Sequence, residues 1–398
     1  MSLKKKDTAI SFAGVVAGQA VLFLCIAIIG REWGSIELGK FNFNVNIAMF
    51  IGTIMAFRYE LACVAETEQR SSAALVNVCL IALASFSFLY LATILSGKDE
   101  YQIVLIFSLT FLIQQACNHY LNSCRKYAII GITKVLTNIT FASLLAMAVS
   151  LKKLEDTFVI YTIANLILTT TILFIILKNQ KPKKPHIKFL FENISFAKYT
   201  LPATLLNSTL LYSLPIIIPV LFGDMTAGYF AATQRFGFFP VSLIAQSIGG
   251  IVRREAITAV HNDIDAKGLF LIYKSYAILL ILLAIAYLIL GCVFFDLILE
   301  IVFDKSWHQA TIFFYILSPL YALQMIYIPL SQILLATQNQ RTDLLIQTII
   351  FLSTVSSLTI AYTLSLSPNA TLMAYSLSNM ISLSIGLLIT LKIAKSTQ

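Results

Sequence analysis

Long apolar runs recur from one end of the chain to the other, separated by short polar stretches. At ~1.5 Å of rise per residue, a helical run of ~20 residues crosses a hydrocarbon core of ~30 Å. Twelve such helices are predicted, at residues 8–29, 41–57, 73–95, 101–120, 132–150, 157–177, 197–221, 228–252, 270–293, 311–335, 344–365 and 371–391. Lys4, Lys5 and Lys6 precede the first run as in a signal peptide. That run is too long for the apolar region of a signal peptide and no clean small-residue cleavage site follows it, so a retained helix is expected.

The most polar internal stretch, Lys178 to His186, separates the sixth run from the seventh. It predicts an N-terminal six-helix lobe at 1–177, a basic linker at 178–196 and a C-terminal six-helix lobe at 197–398. A repeated spacing supports the division. Gly34, Gly39 and Phe41 follow G-x4-G-x-F, and so do Gly223, Gly228 and Phe230. With 16 Gly and 28 Phe in 398 residues, chance places that pattern at about one position in ten thousand, yet it falls between the first and second helix of both halves. An offset of six helices gives both halves the same orientation, a parallel repeat of the kind that holds a substrate between two bundles and alternates access by rocking. The glycines also suit a tight turn.

Composition turns the helical pattern into a membrane assignment. Hydrophobic residues make up 58% and charged residues 12% of the chain, with a mean hydropathy of +0.85, against roughly 25% charge in soluble domains. With the N-terminus inside, 21 of the 28 Lys and Arg residues fall on inner segments and six on outer ones, leaving Arg235 inside a run. That asymmetry predicts an even number of helices with both termini cytoplasmic. It also assigns the net charge of +9 to topology, so no nucleic-acid partner is expected. The six cysteines include no C-x-x-C pair and suit packing, and the four histidines are isolated. No metal or cofactor site is expected.

Enzyme signatures are missing. There is no G-x-x-x-x-G-K-[ST] loop, no H-E-x-x-H and no G-x-S-x-G, and the outer loops, such as residues 30–40, are short. A transporter driven by a gradient, the membrane potential or a partner is expected rather than an enzyme. Charges in or beside the runs then carry the information, because burying one in hydrocarbon costs at least ~2.5 to 3.5 kcal/mol. Arg235 lies seven residues into the eighth run, about 10 Å below its surface, and no acidic residue stands at a comparable depth to pair with it. Arg31 and Lys40 bracket the first outer loop, where they snorkel or meet substrate. Arg58 and Glu60 close the second helix as a local ionic anchor or as part of a site. Asp296 and Glu300 read as solvated at a helix end.

Four stretches carry a family resemblance. They are Gly30-Arg31-Glu32-Trp33-Gly34 with Gly39-Lys40-Phe41, Phe57-Arg58-Tyr59-Glu60-Leu61-Ala62, Gln234-Arg235-Phe236-Gly237-Phe238-Phe239-Pro240, and Phe303-Asp304-Lys305-Ser306-Trp307 with Ile316-Leu317-Ser318-Pro319. In order and spacing they resemble the Wzx-type O-antigen and polysaccharide flippases, except that Asp304 stands where a glycine is common. The resemblance implies the fold of the multidrug, oligosaccharidyl-lipid and polysaccharide exporter superfamily: an all-α polytopic membrane protein with two six-helix lobes around a central cavity. It implies transfer of an undecaprenyl-pyrophosphate-linked oligosaccharide across the bacterial inner membrane in O-antigen or lipopolysaccharide biosynthesis. Lipid-linked oligosaccharide, membrane lipids, a polysaccharide polymerase and chain-length proteins are the partners it implies. Arg31, Arg58, Arg235, Lys40 and Tyr59 are the substrate-binding candidates, since guanidinium forks onto phosphate oxygens and aromatic rings such as Tyr59, Tyr229 and Phe236 suit sugars. A small-molecule exporter and a membrane-embedded polymerase are the alternatives.

Overall fold

The computed structural model of the chain describes residues 2–65, 67–124, 126–151, 156–179, 188–261, 266–337 and 339–396. Thirteen helices and no strand occur among them: α1 (Ser2–Glu32), α2 (Gly34–Met55), α3 (Glu68–Leu95), α4 (Gln102–Ser123), α5 (Tyr127–Ser150), α6 (Thr157–Asn179), the short α7 (Lys188–Glu192), α8 (Leu201–Ala232), α9 (Phe239–His261), α10 (Ala266–Val302), α11 (His308–Ala336), α12 (Gln340–Thr363) and α13 (Pro368–Ser396). All except α7 have 22 residues or more. Nine segments among the described residues are long and apolar enough to cross a membrane, and one of these, Leu211–Ala259, contains parts of both α8 and α9. α2 is not among the nine, because Asn42, Asn44 and Asn46 dilute its apolar surface.

Helices overrun the predicted segments. α2 starts at Gly34 instead of residue 41, and α10 ends at Val302 instead of 293. Hydropathy marks only the part of a helix that lies among acyl chains, whereas polar turns beyond it remain hydrogen-bonded as helix. The expected outer loop at 30–40 is therefore almost wholly helical, and the chain reverses at Trp33 and Gly34.

The repeated glycines explain that reversal. Gly34 and Gly223 both hold φ at +80°, a left-handed conformation that a Cβ would strain. Gly34 turns α1 into α2, and Gly223 breaks α8 into two helical stretches. The partners in the repeat match as well: Gly39 and Gly228 are buried, as are Phe41 and Phe230.

The chain forms two compact units, Met1–Ser208 and Thr209–Gln398. Their boundary falls inside α8, while residues 180–187 of the linker expected at 178–196 lie outside the described residues. In the first unit α4 packs against α2, α3 and α6, and α5 packs against α6. In the second, α11 packs against α9, α10 and α13, and α12 against α13. These are the same pairings displaced by one half of the chain. The third long helix of each half, α3 and α10, is the least buried of the candidate spans; Leu83, Phe88, Leu91, Leu282, Ile289 and Val293 are exposed on them, as lipid-facing residues must be.

Without water to drive apolar association, helices in a bilayer are held by close packing and hydrogen bonds. α1 and α5 show both. A Cβ on Gly14 would stand 2.6 Å from the Gly131 Cα, and one on Gly18 would stand 3.3 Å from the Lys134 backbone. At the same crossing the Asn138 amide donates to the Gly18 carbonyl at 2.7 Å. Beyond it, Phe41 stacks on Phe141 with centroids 5.9 Å apart, and Tyr161 lies 4.7 Å from Phe141.

Two π-helical turns, Phe196–Thr200 and Thr233–Phe238, have a common cause. Each is followed, after one residue, by a proline, Pro202 or Pro240. Proline lacks an N–H and its ring crowds the carbonyl four residues earlier; those carbonyls belong to Lys198 and Phe236, inside the two turns. The wider turn relieves the clash. In the second turn the Tyr287 hydroxyl donates to the Gly237 carbonyl at 3.1 Å.

Candidate functional site

Sequence positions expected to meet substrate are distributed over three places. At the end of α2 remote from Gly34, Phe57 (φ 51°) and Arg58 (φ 66°) are both left-handed, a conformation that costs ~1–3 kcal/mol per residue and persists only where the surroundings impose it. The chain then enters a short 3-10 turn, Tyr59–Cys63. Several contacts fix that turn. The Tyr59 hydroxyl donates to the Leu190 carbonyl at 3.1 Å, its ring lies 5.9 Å from Phe189 of α7, the Ser71 hydroxyl donates to the Cys63 carbonyl, and the Ser123 hydroxyl donates to the Ala65 carbonyl at 2.6 Å.

This turn holds the Arg58 guanidinium 2.7 Å from the Glu60 carboxylate. Glu60 is only 1% exposed. Burial pushes its carboxyl above the usual carboxylate range, and the charge of Arg58 opposes that rise. Neither Arg58 Nε nor Glu60 Oε2 has a hydrogen-bond partner, although both atoms are buried. One donor of Arg58 is thus committed to Glu60 while another is desolvated and unused, a state that an incoming phosphate oxygen would relieve. Tyr59, by contrast, is 4% exposed and packed against α7.

Arg31 and Lys40 lie at the other end of α2, on helices and exposed. Eighteen residues separate Lys40 from Arg58, about 27 Å along a helix. They cannot grip one pyrophosphate together with Arg58. Glu37, near Lys40, accepts from both the backbone N–H and the hydroxyl of Thr157, at 3.2 and 2.8 Å, and so caps α6.

Arg235 occupies the π turn that precedes Pro240. It is half-buried and it has an interaction partner. A guanidinium is satisfied by carbonyls and rings as well as by carboxylates. The turn is anchored by the Thr233 hydroxyl, 2.8 Å from the Ala310 carbonyl, and by Gly237, where a Cβ would meet Phe314 at 2.9 Å.

Aromatic residues of the remaining motif stretches pack on one another. Phe303 stacks on Trp307 at 4.1 Å, Phe236 meets Phe303 edge-on at 5.7 Å, and Tyr229 meets Trp307 edge-on at 5.5 Å. Asp304 accepts from the Ser306 N–H at 2.6 Å, which caps the turn between α10 and α11. Nearby, the Thr311 hydroxyl donates to Asp296 at 2.6 Å, and Lys305 stands 3.4 Å from Glu300 in an exposed pair worth little.

What sequence reasoning missed lies in the second unit. Gln234, Phe238, Tyr321, Gln324 and Tyr375 line an open cavity together with Leu211, Leu214 and Pro215 of α8. Amides and tyrosines inside apolar runs give no hydropathy signal. No group of His, Cys, Asp and Glu among the described residues could hold a metal ion.

Residues 5–252 match the family described as "Polysaccharide biosynthesis protein". No curated protein sequence matches at a significant level. Among solved structures, the chain is similar to an inward-facing multidrug resistance MATE family transporter of the MOP superfamily, with a TM-score of 0.77, 10% identity and coverage of 98% of this chain and 99% of that one. It is similar to the lipid II flippase MurJ in an inward closed conformation, with a TM-score of 0.75, 16% identity and coverage of 96% and 87%. A MOP superfamily transporter from Pyrococcus furiosus aligns with a TM-score of 0.57, 11% identity and coverage of 98% and 94%. At these identities the likenesses establish the fold.

Proposed function

We propose that this chain, which belongs to the polysaccharide biosynthesis protein family, is a flippase that moves an undecaprenyl-pyrophosphate-linked oligosaccharide, an O-antigen or related repeat unit, across the bacterial inner membrane without altering it. The family match over more than half of the chain carries the reading. The likeness to MurJ adds that the fold is one used by a lipid-linked flippase.

The physical problem suits the architecture. A sugar and two phosphates cannot cross hydrocarbon unsolvated, so protein groups must replace water around them while the polyprenyl tail stays in lipid. In our reading both termini are cytoplasmic and access to the substrate site alternates between the leaflets. Arg58, with its unused buried donor, and Arg235 contact the pyrophosphate at different stages. Arg31 and Lys40, about 27 Å away from Arg58 along α2, act at the periplasmic end. A polymerase and chain-length proteins receive the product.

The fold alone, shared with a multidrug transporter, fits a small-molecule exporter equally; the family match favours the glycan. Complementation separates the two. Expression in a strain lacking its own repeat-unit flippase should restore surface glycan, whereas restored dye resistance without surface glycan would establish the exporter instead.

A further inference from the structure

We infer that the second unit carries a subsite for a sugar ring of the glycan, built from Gln234, Gln324, Phe238, Tyr321 and Tyr375; this rests on the flippase reading and extends it to the recognition of the carbohydrate. The cavity lies among α8, the π turn, α11 and α13, and all its lining residues belong to that unit. Among the described residues no Asp, Glu, Lys or Arg lines it, so its chemistry suits a neutral polar ligand instead of a phosphate.

Its lining matches a sugar in two respects. A pyranose presents an apolar C–H face and a rim of hydroxyls that both donate and accept. Phe238 and Tyr321, with ring centroids 5.1 Å apart, offer surface for the face. The carboxamides of Gln234 and Gln324 both donate and accept, as the rim requires. Gln324 is the more telling of the two, because its Oε1 is buried without a hydrogen-bond partner. An unsatisfied buried acceptor is unfavourable until a donor arrives, and a sugar hydroxyl supplies one. An acyl chain would leave both amides unpaired, which argues against the polyprenyl tail as occupant. Gln234 precedes Arg235 in the same π turn, so the subsite adjoins in sequence a residue assigned to the pyrophosphate, as a sugar adjoins the pyrophosphate in the substrate.

The test uses the full-length protein in nanodiscs and two probes: the lipid-linked repeat unit extracted from the source cells, and undecaprenyl pyrophosphate without sugar. Wild-type protein should bind the sugar-bearing probe about tenfold tighter or more, the discrimination expected of a site built to pair hydroxyls. Gln324→Leu should abolish that preference and leave binding of the bare lipid within about twofold. Its melting temperature should not fall, since the substitution removes a buried unpaired carbonyl oxygen. Should Gln324→Leu fail to fold, Gln234→Leu provides the same comparison. Equal weakening for both probes, or no change for either, overturns the subsite while leaving the flippase reading intact. Wild-type protein that binds neither probe overturns both.

Discussion

Arg58→Ala should destabilise the first unit far more than removing Arg58 and Glu60 together. At 2.7 Å and an effective dielectric of ~20, the pair's gross attraction is about 6 kcal/mol. Desolvation takes back much of it, and breaking one side of a buried pair typically costs ~3–5 kcal/mol because the other charge is stranded. Glu60 is the stranded group here, with its side chain only 2% exposed. Arg58→Ala should therefore cost about 3 kcal/mol, and Arg58→Ala with Glu60→Gln should recover most of that. The pH dependence has a definite sign. Burial already raises the Glu60 carboxyl, and Arg58 is what opposes the rise. Without Arg58 the folded state binds the proton still more tightly than the unfolded chain, whose carboxyl titrates near ~4.3. The deficit of Arg58→Ala should thus shrink as pH falls from neutral through the raised value towards ~4.3. Unfolding in mixed micelles, run as a double-mutant cycle at neutral and mildly acidic pH, gives the coupling. Coupling below ~0.5 kcal/mol, or a deficit that deepens on acidification, would refute the reasoning.

Other substitutions follow from the same geometry. Gly14→Ala places a Cβ against the Gly131 backbone, which cannot give way as a side chain does; overpacking of ~1–3 kcal/mol should appear as a lowered melting temperature. Gly223→Ala meets open space but forces a Cβ onto φ 80° and ψ 171°, a region left almost entirely to glycine, so a loss of ~1–3 kcal/mol from strain alone is expected in the same assay. Arg235→Ala should abolish surface glycan at near-normal membrane levels, and Arg235→Lys should keep part of it because the charge survives without the fork; full display by Arg235→Ala would remove the residue from the site.

The architecture was readable because the bilayer demands it. Each crossing needs a long apolar helix, and a turn at φ +80° calls for glycine, so Gly34 and Gly223 mark the repeat in the sequence. Helix ends were not readable: polar turns such as residues 34–40 resemble loops to hydropathy. Arg58 and Glu60 sit two residues apart, and their pairing could be weighed from sequence. The contact between Tyr59 and Leu190 spans 131 residues and could not. Nor could the cavity, because Gln234, Gln324 and Tyr375 come from separate helices and only packing brings them together. Pro202 and Pro240 were visible as helix disturbances, but their effect, a π turn just upstream, emerged only from the backbone.

The central claim is translocation without chemistry. The direct measurement reconstitutes purified protein in liposomes with a fluorescently labelled polyprenyl-pyrophosphate-linked sugar in both leaflets, then adds an impermeant quencher outside. With the protein present, quenching should proceed beyond the outer-leaflet half, and extraction should return the lipid unchanged. Quenching that stops at that half, or recovery of a hydrolysed or polymerised product that requires this protein, would contradict the account.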